Sequence, residues 1–192
     1  MKFTRQIPSW FSTRRAAQVT AFFAAKAGGR INILRATKLI YLADRASMKE
    51  RDWPITEDNF VSMYFGPVNS FTYDLMKRET TQDQTEIWSE FVGERVRHDI
   101  PLSRPIKESD LDELSRADLR ILGETWERYK DIEDQFMLAE WTHDNCPEWQ
   151  DPGNSSVPIE FATVFKEINK ADPAGLGNAI QAQRSFLAKL RA

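Results

Sequence analysis

Between positions 143 and 148 the chain carries His143, Asp144, Cys146 and Glu148, a dense run of reactive side chains. A cysteine beside a histidine can act as nucleophile and base, and the same two residues can supply ligands to a metal. The rest of the sequence gives that chemistry little to work with. Cys146 is the only cysteine, and the other histidine, His98, falls in a predicted strand. A structural zinc site needs four good ligands, which this chain can hardly supply. The plainer reading is architectural: His143 bonds at a helix end, while Pro147 and Trp149 fold the following turn back onto the core. No catalytic residue, metal or cofactor is expected.

Two other groups could bind rather than react. Gly28-Gly29 lacks the further glycines and the Lys-Ser/Thr of a phosphate loop, and it ends a helix instead of opening one, so it reads as a cap. Lys38, Tyr41 and Arg45 are spaced to share a helix face that could meet an acidic partner. Asp44, Glu50 and Asp52 lie close by and make a solvated surface the competing reading. Arg14-Arg15 adds only local positive charge.

The elements that position these residues are mostly helical. Ser12 or Thr13 can cap a helix through Val19 and Phe23 to Lys26. Asn32 can cap a second, from Ile33 to about Lys49, with Leu39, Leu42, Ala43 and Ala46 as one core-facing stripe. Residues 59–65 read as a short aromatic strand. Gly66 then permits an unusual backbone angle, and Pro67 suits the first position of a helix over Val68 to Arg78. The Tyr64-Phe65-Gly66-Pro67-Val68 segment is thus predicted to be a strand-to-helix corner. Tyr64 and Phe65 should alternate faces, leaving one of them exposed as a possible anchor. Two strands, Glu86 to Val92 and Glu94 to Ile100, are expected about Gly93, with Trp88 and Val96 facing inward.

Ser115 with Asp118 forms a capping box that opens a helix through Leu122 and Trp126 to Tyr129. Another helix covers Gln135 to Thr142, with Phe136, Leu138, Ala139 and Trp141 as its pattern. Asp151-Pro152-Gly153-Asn154-Ser155-Ser156 has linker composition, which divides the chain into a domain of residues 1–152 and a helical extension of 153–192. Helices are expected from Pro158 to Ile168 and from Pro173 to Leu190. In the last, Leu176, Ile180, Gln183, Leu187 and Leu190 alternate steps of four and three, with Phe186 beside them. That seam suits either an interface, including self-association, or a helix lying back on its own domain. The fold class is therefore α+β, mainly α: a compact helical domain with a small antiparallel sheet or hairpin and a C-terminal helical extension.

Bulk properties narrow the partners. The 192 residues are 41% hydrophobic and 29% charged, with a net charge of −3, which argues against a dedicated nucleic-acid binder. Six Trp and twelve Phe leave aromatics for an interface beyond those of the core. A single cysteine fits a reducing compartment. No apolar run is long enough for a membrane span. Near the N-terminus, basic Lys2 and Arg5 lead into a stretch broken by Pro8, Ser9 and Ser12, unlike a signal peptide. A cytoplasmic protein is expected.

Three pieces in order resemble one family: Lys38-Leu39-Ile40-Tyr41-Leu42-Ala43-Asp44-Arg45 on a helix, Tyr64-Phe65-Gly66-Pro67-Val68 at the corner, and Thr142-His143 with Pro147 and Trp149 shortly after. This is similar to the Panacea domain, the SocA-like antitoxin family that includes phage-associated proteins, over about residues 10 to 152. The resemblance implies an antitoxin that neutralises a cognate protein toxin, encoded by the adjacent gene, through direct contact. It also implies an alternative, an adaptor that delivers the toxin to a cellular protease. A DNA-binding autoregulator ranks third, because no helix-turn-helix with a basic recognition helix is evident. The candidate partner surface comprises Lys38, Tyr41, Arg45, Tyr64, Phe65, Leu176, Ile180, Phe186, Leu187 and Leu190. Gly66, Pro67, His143 and Trp149 are expected to be structural.

Overall fold

In the computed structural model, which describes residues 6–190, the second helix is the axis on which the chain is built. Lys2 and Arg5 lie outside the described residues. Asn32 starts that helix, α2 (Ile33–Arg51), by accepting hydrogen bonds from the backbone N–H groups of Leu34 and Arg35. From Arg35 through Asp44 every side chain is buried, while Ala46 is exposed. The single apolar stripe read from the sequence is therefore too narrow. The helix is enclosed, and its polar residues must find partners inside the protein.

The elements around it form as their caps dictate. Helix α1 (Thr13–Lys26) is capped by Ser12, whose hydroxyl accepts from the Arg15 N–H. Gly28 and Gly29, at φ +85° and +101°, then turn the chain into strand β1 (Arg30–Asn32). Helix α5 (Arg116–Tyr129) carries the Ser115–Asp118 capping box, and α6 (Gln135–Asn145) is capped by Asp134. Helices α1, α5 and α6 all pack on α2.

The sheet differs from expectation in three places. Strand β2 (Phe60–Met63) is followed by a two-residue turn and a second strand, β3 (Gly66–Asn69), in antiparallel register with Val61 opposite Val68. The expected strand-to-helix corner is thus a hairpin, and helix α3 (Ser70–Lys77) begins two residues later than Val68. Pro67 fits because β3 is an edge strand, where a missing N–H breaks no interior ladder. The Asp58 carboxylate, not a residue at the helix start, accepts from the N–H groups of Phe71 and Thr72 at 2.9 and 2.8 Å.

The expected hairpin about Gly93 is absent. Ile87, Trp88, Phe91 and Val92 recur at helical spacing, and helix α4 (Gln82–Ser89) buries Trp88 while Val96 stays exposed. The strand after it, β4 (Asp99–Pro101), pairs with β1. Beyond residue 152 the chain returns to the sheet. Val157–Ile159 forms β5 beside β2, where a helix was expected from Pro158, and α7 (Phe161–Glu167) and α8 (Pro173–Leu190) come after it. The observed architecture is a mainly helical α+β fold with sheets ordered β3-β2-β5 and β1-β4. No described helix is long and apolar enough to cross a membrane.

Candidate functional site

The polar residues of α2 act as internal fasteners, each reaching a different segment. Lys38 is fully buried and its ammonium donates to the Pro67 carbonyl at 2.7 Å, tying the helix to β3. Tyr41 donates from its hydroxyl to Glu148 Oε1 at 2.6 Å, and Arg45 Nε donates to the same oxygen at 2.7 Å. Asp44 accepts from the Thr56 N–H at 2.9 Å, from the Thr56 hydroxyl and from Asn69 Nδ2 at 2.6 Å. Burial dominates their protonation: it lowers Lys38 to about 7 and raises Asp44 to about 7. Lys38 and Tyr41 are 0% exposed, and only Arg45 reaches the surface in part. The shared external face expected for the three is corrected: Lys38 and Tyr41 turn inward to bond Pro67 and Glu148, and only Arg45 shows any surface.

Above Lys38 the hairpin turn is held from both sides. Gly66 has φ +96°, and a Cβ there would lie 2.5 Å from Thr142 Oγ1 and 3.2 Å from Lys38 Nζ. Only glycine allows α6 to come that close. Trp149 donates from its indole N–H to the Met63 carbonyl at 2.9 Å, and its ring stacks on His143 at 3.9 Å with 13° between planes. The three sequence motifs therefore meet at one place. Gly66, His143 and Trp149 hold the hairpin there, and Pro67 contributes the carbonyl that Lys38 grips.

The same contacts decide the fate of the cysteine–histidine reading. Cys146 is fully buried, and burial with Glu148 nearby pushes its thiol up to about 12. A thiol so disfavoured as thiolate is the reverse of an activated nucleophile. Burial, then the proximity of Lys38, lowers His143, which is engaged in its stack on Trp149.

What the hairpin presents outward is apolar. Tyr64 and Phe65 are both exposed, at 63% and 46%, whereas face alternation predicted one. Their rings meet edge to face at 5.0 Å, and Phe65 meets Phe136 of α6 at 5.7 Å. Met137 adjoins Phe136 and is also exposed. Beside this ridge lies a cleft of about 550 Å³, walled by Ile33, Leu34, Met63, Phe65, Val68 and Phe136, with Lys38 and His98 also lining it. Sequence reasoning missed Phe136 and Met137 as surface residues. The signal was available: α6 buries Leu138, Ala139 and Thr142, and both residues fall off that face.

The C-terminal candidates divide. Ile180 is fully buried and Leu176 packs on the core, while Phe186 and Leu190 are 60% and 66% exposed and Leu187 is half-buried. One position of the seam shifts. Arg184, not Gln183, faces inward, and Gly177 lets α8 approach the Ala162 backbone of α7.

No curated protein and no solved structure matches this chain. A family model does, over residues 37–150, a span that begins at the buried segment of α2 and closes just past the Trp149 clasp on the hairpin. The chain belongs to the antitoxin SocA-like, Panacea domain family.

Proposed function

We propose that this protein neutralises a cognate protein toxin by direct contact, and that the Tyr64–Phe65 ridge with Phe136 and Met137 is the docking surface. The observation that carries the reading is the ridge itself. Four large apolar side chains stand exposed together, two on a hairpin braced by the family motifs and two beside it on α6. Exposed aromatics on a rigid support are the usual anchors of a protein interface, since little side-chain entropy is lost when they are covered. Membership of an antitoxin family supplies the class of partner.

The test is co-expression with the product of the adjacent gene. The protein should permit growth that the partner alone prevents, and the two should co-purify. Tyr64→Ser with Phe65→Ser should weaken capture by about thirtyfold or more, as for a hot spot, without changing the melting temperature. Full protection by that variant would reject this surface. An adaptor for proteolysis would instead shorten the partner's half-life in cells, and an unchanged half-life during protection leaves occlusion as the mechanism.

A further inference from the structure

The cleft beside the ridge has a chemistry of its own. Its walls are Ile33, Leu34, Met63, Phe65, Val68 and Phe136, and no carboxylate lines it. Lys38 is the cation that lines it, His98 lies where the cleft meets an adjoining hollow, and that hollow adds Arg30 and Arg97 with one acid, Asp99. Lys38 has a single hydrogen bond among the described residues, to the Pro67 carbonyl, and no carboxylate among them pairs with it. Only one of its three ammonium donors is used, and with no exposed surface Lys38 acts on the cleft through its charge rather than by contact.

We infer that this cleft receives one large apolar side chain of the protein partner, flanked directly in sequence by aspartate or glutamate. The inference rests on the toxin-docking reading of the neighbouring ridge and adds the partner's chemistry to it. Apolar walls favour an aromatic or leucine-type anchor, because burying it removes hydrocarbon from water on both surfaces. The anchor also displaces water from the cleft, which strengthens the field of the positive residues lining and flanking it. A carboxylate beside the anchor meets that field favourably, whereas a lysine or arginine flank is repelled. A small hydrated anion would gain the field but would leave the apolar walls uncovered.

Two synthetic peptides, acetylated and amidated, test this: Gly-Glu-Phe-Asp-Gly and Gly-Lys-Phe-Lys-Gly. Each is titrated into the ¹⁵N-labelled full chain and monitored by amide chemical shifts. At pH 6, where Lys38 carries its proton, the acidic peptide should move the amides of Leu34, Val68, Tyr73 and Phe136 and bind about tenfold or more tighter than the basic one at low salt, with the gap shrinking as salt is added. Leu34→Trp, which fills the cleft from one wall, and Met63→Trp, from the other, should each abolish those shifts while retaining a dispersed spectrum. Equal binding of the two peptides, no binding of either, or shifts that map elsewhere would overturn the inference. Capture of the adjacent gene's product separates the two readings. If the filled cleft still captures it, the anchor idea fails and the docking ridge stands. If the Tyr64/Phe65 double variant also captures it, the ridge fails.

Discussion

Lys38 and Arg184 are both buried cations, and the fold uses them in opposite ways. Arg184 comes from α8 and reaches the loop before β2. Its guanidinium donates to Asn59 Oδ1 at 2.7 Å, to the Asp58 carbonyl at 3.0 Å and to the Glu57 carbonyl. It also lies 4.1 Å from the Trp10 ring centre and 4.6 Å from that of Phe161. Lys38 sits under the hairpin with one carbonyl at 2.7 Å and no aromatic face against its ammonium among the described residues. Burial lowers both, Arg184 to about 10 and Lys38 to about 7. The planar fork of an arginine can spend its charge on several acceptors at once, while a lysine is a compact point charge. Arg184 is consumed by the fold. Lys38 remains electrostatically open, beside a surface that is apolar and lined by exposed aromatics.

The largest effect is therefore expected at Arg184. Arg184→Ala strands three acceptors and uncovers two rings, and should lower stability by about 3 kcal/mol. Arg184→Lys should recover less than half of that, because an ammonium cannot replace the fork. Urea denaturation of the purified variants measures both. A loss near zero for the alanine variant would mean that α8 is held by Ile180 and Leu176 alone, and the contrast with Lys38 would collapse.

Gly66→Ala should rank second, at about 2 kcal/mol. It adds a Cβ 2.5 Å from Thr142 Oγ1 at a residue with φ +96°, so strain and a clash act together. Unlike the Arg184 change, it should also weaken capture of the partner, since the turn must lift off α6 and carry Phe65 with it. Thermal melts and co-purification read the two effects separately. Weakened capture from Arg184→Ala at a temperature where it stays folded would instead place α8 in the interface.

These residues also show how far the sequence could be read. The helices were legible wherever a cap and a spacing agreed, as at Ser12, Asn32 and Ser115. Pro173–Leu190 was legible from its spacing alone. The hairpin was not, because Gly66-Pro67 fits a helix start as well as an edge strand, and pairing with β2 decided between them. Lys38 and Tyr41 looked like surface residues because polarity is normally a sign of exposure. Their partners, Pro67 and Glu148, lie 29 and 107 positions away, and no local pattern announces them. Arg184 was invisible for the same reason. The ridge was half legible: Tyr64 and Phe65 were picked out, but Phe136 joins them only through the close approach that Gly66 permits.

The smallest effect, and the sharpest test of the comparison, belongs to Lys38→Met. The variant loses one hydrogen bond to Pro67 but also removes a charge that burial disfavours, so at pH 7 its stability should lie within about 1 kcal/mol of the parent. The sign of its pH dependence comes from the lowered value. Between about 7 in the folded protein and the ordinary 10.5, the unfolded chain holds a proton that the folded chain has released. The parent therefore carries the full penalty below pH 7 and is relieved of it as pH rises toward 10.5. The methionine variant lacks that relief, so the parent should gain on it steadily from pH 7 to pH 10, and the two should run parallel below pH 6.5. Denaturant midpoints at pH 6, 8 and 10 decide it. A variant that is several kcal/mol less stable at pH 6 would show that Lys38, like Arg184, is a charge the fold depends on, and would leave the cleft without its unspent cation.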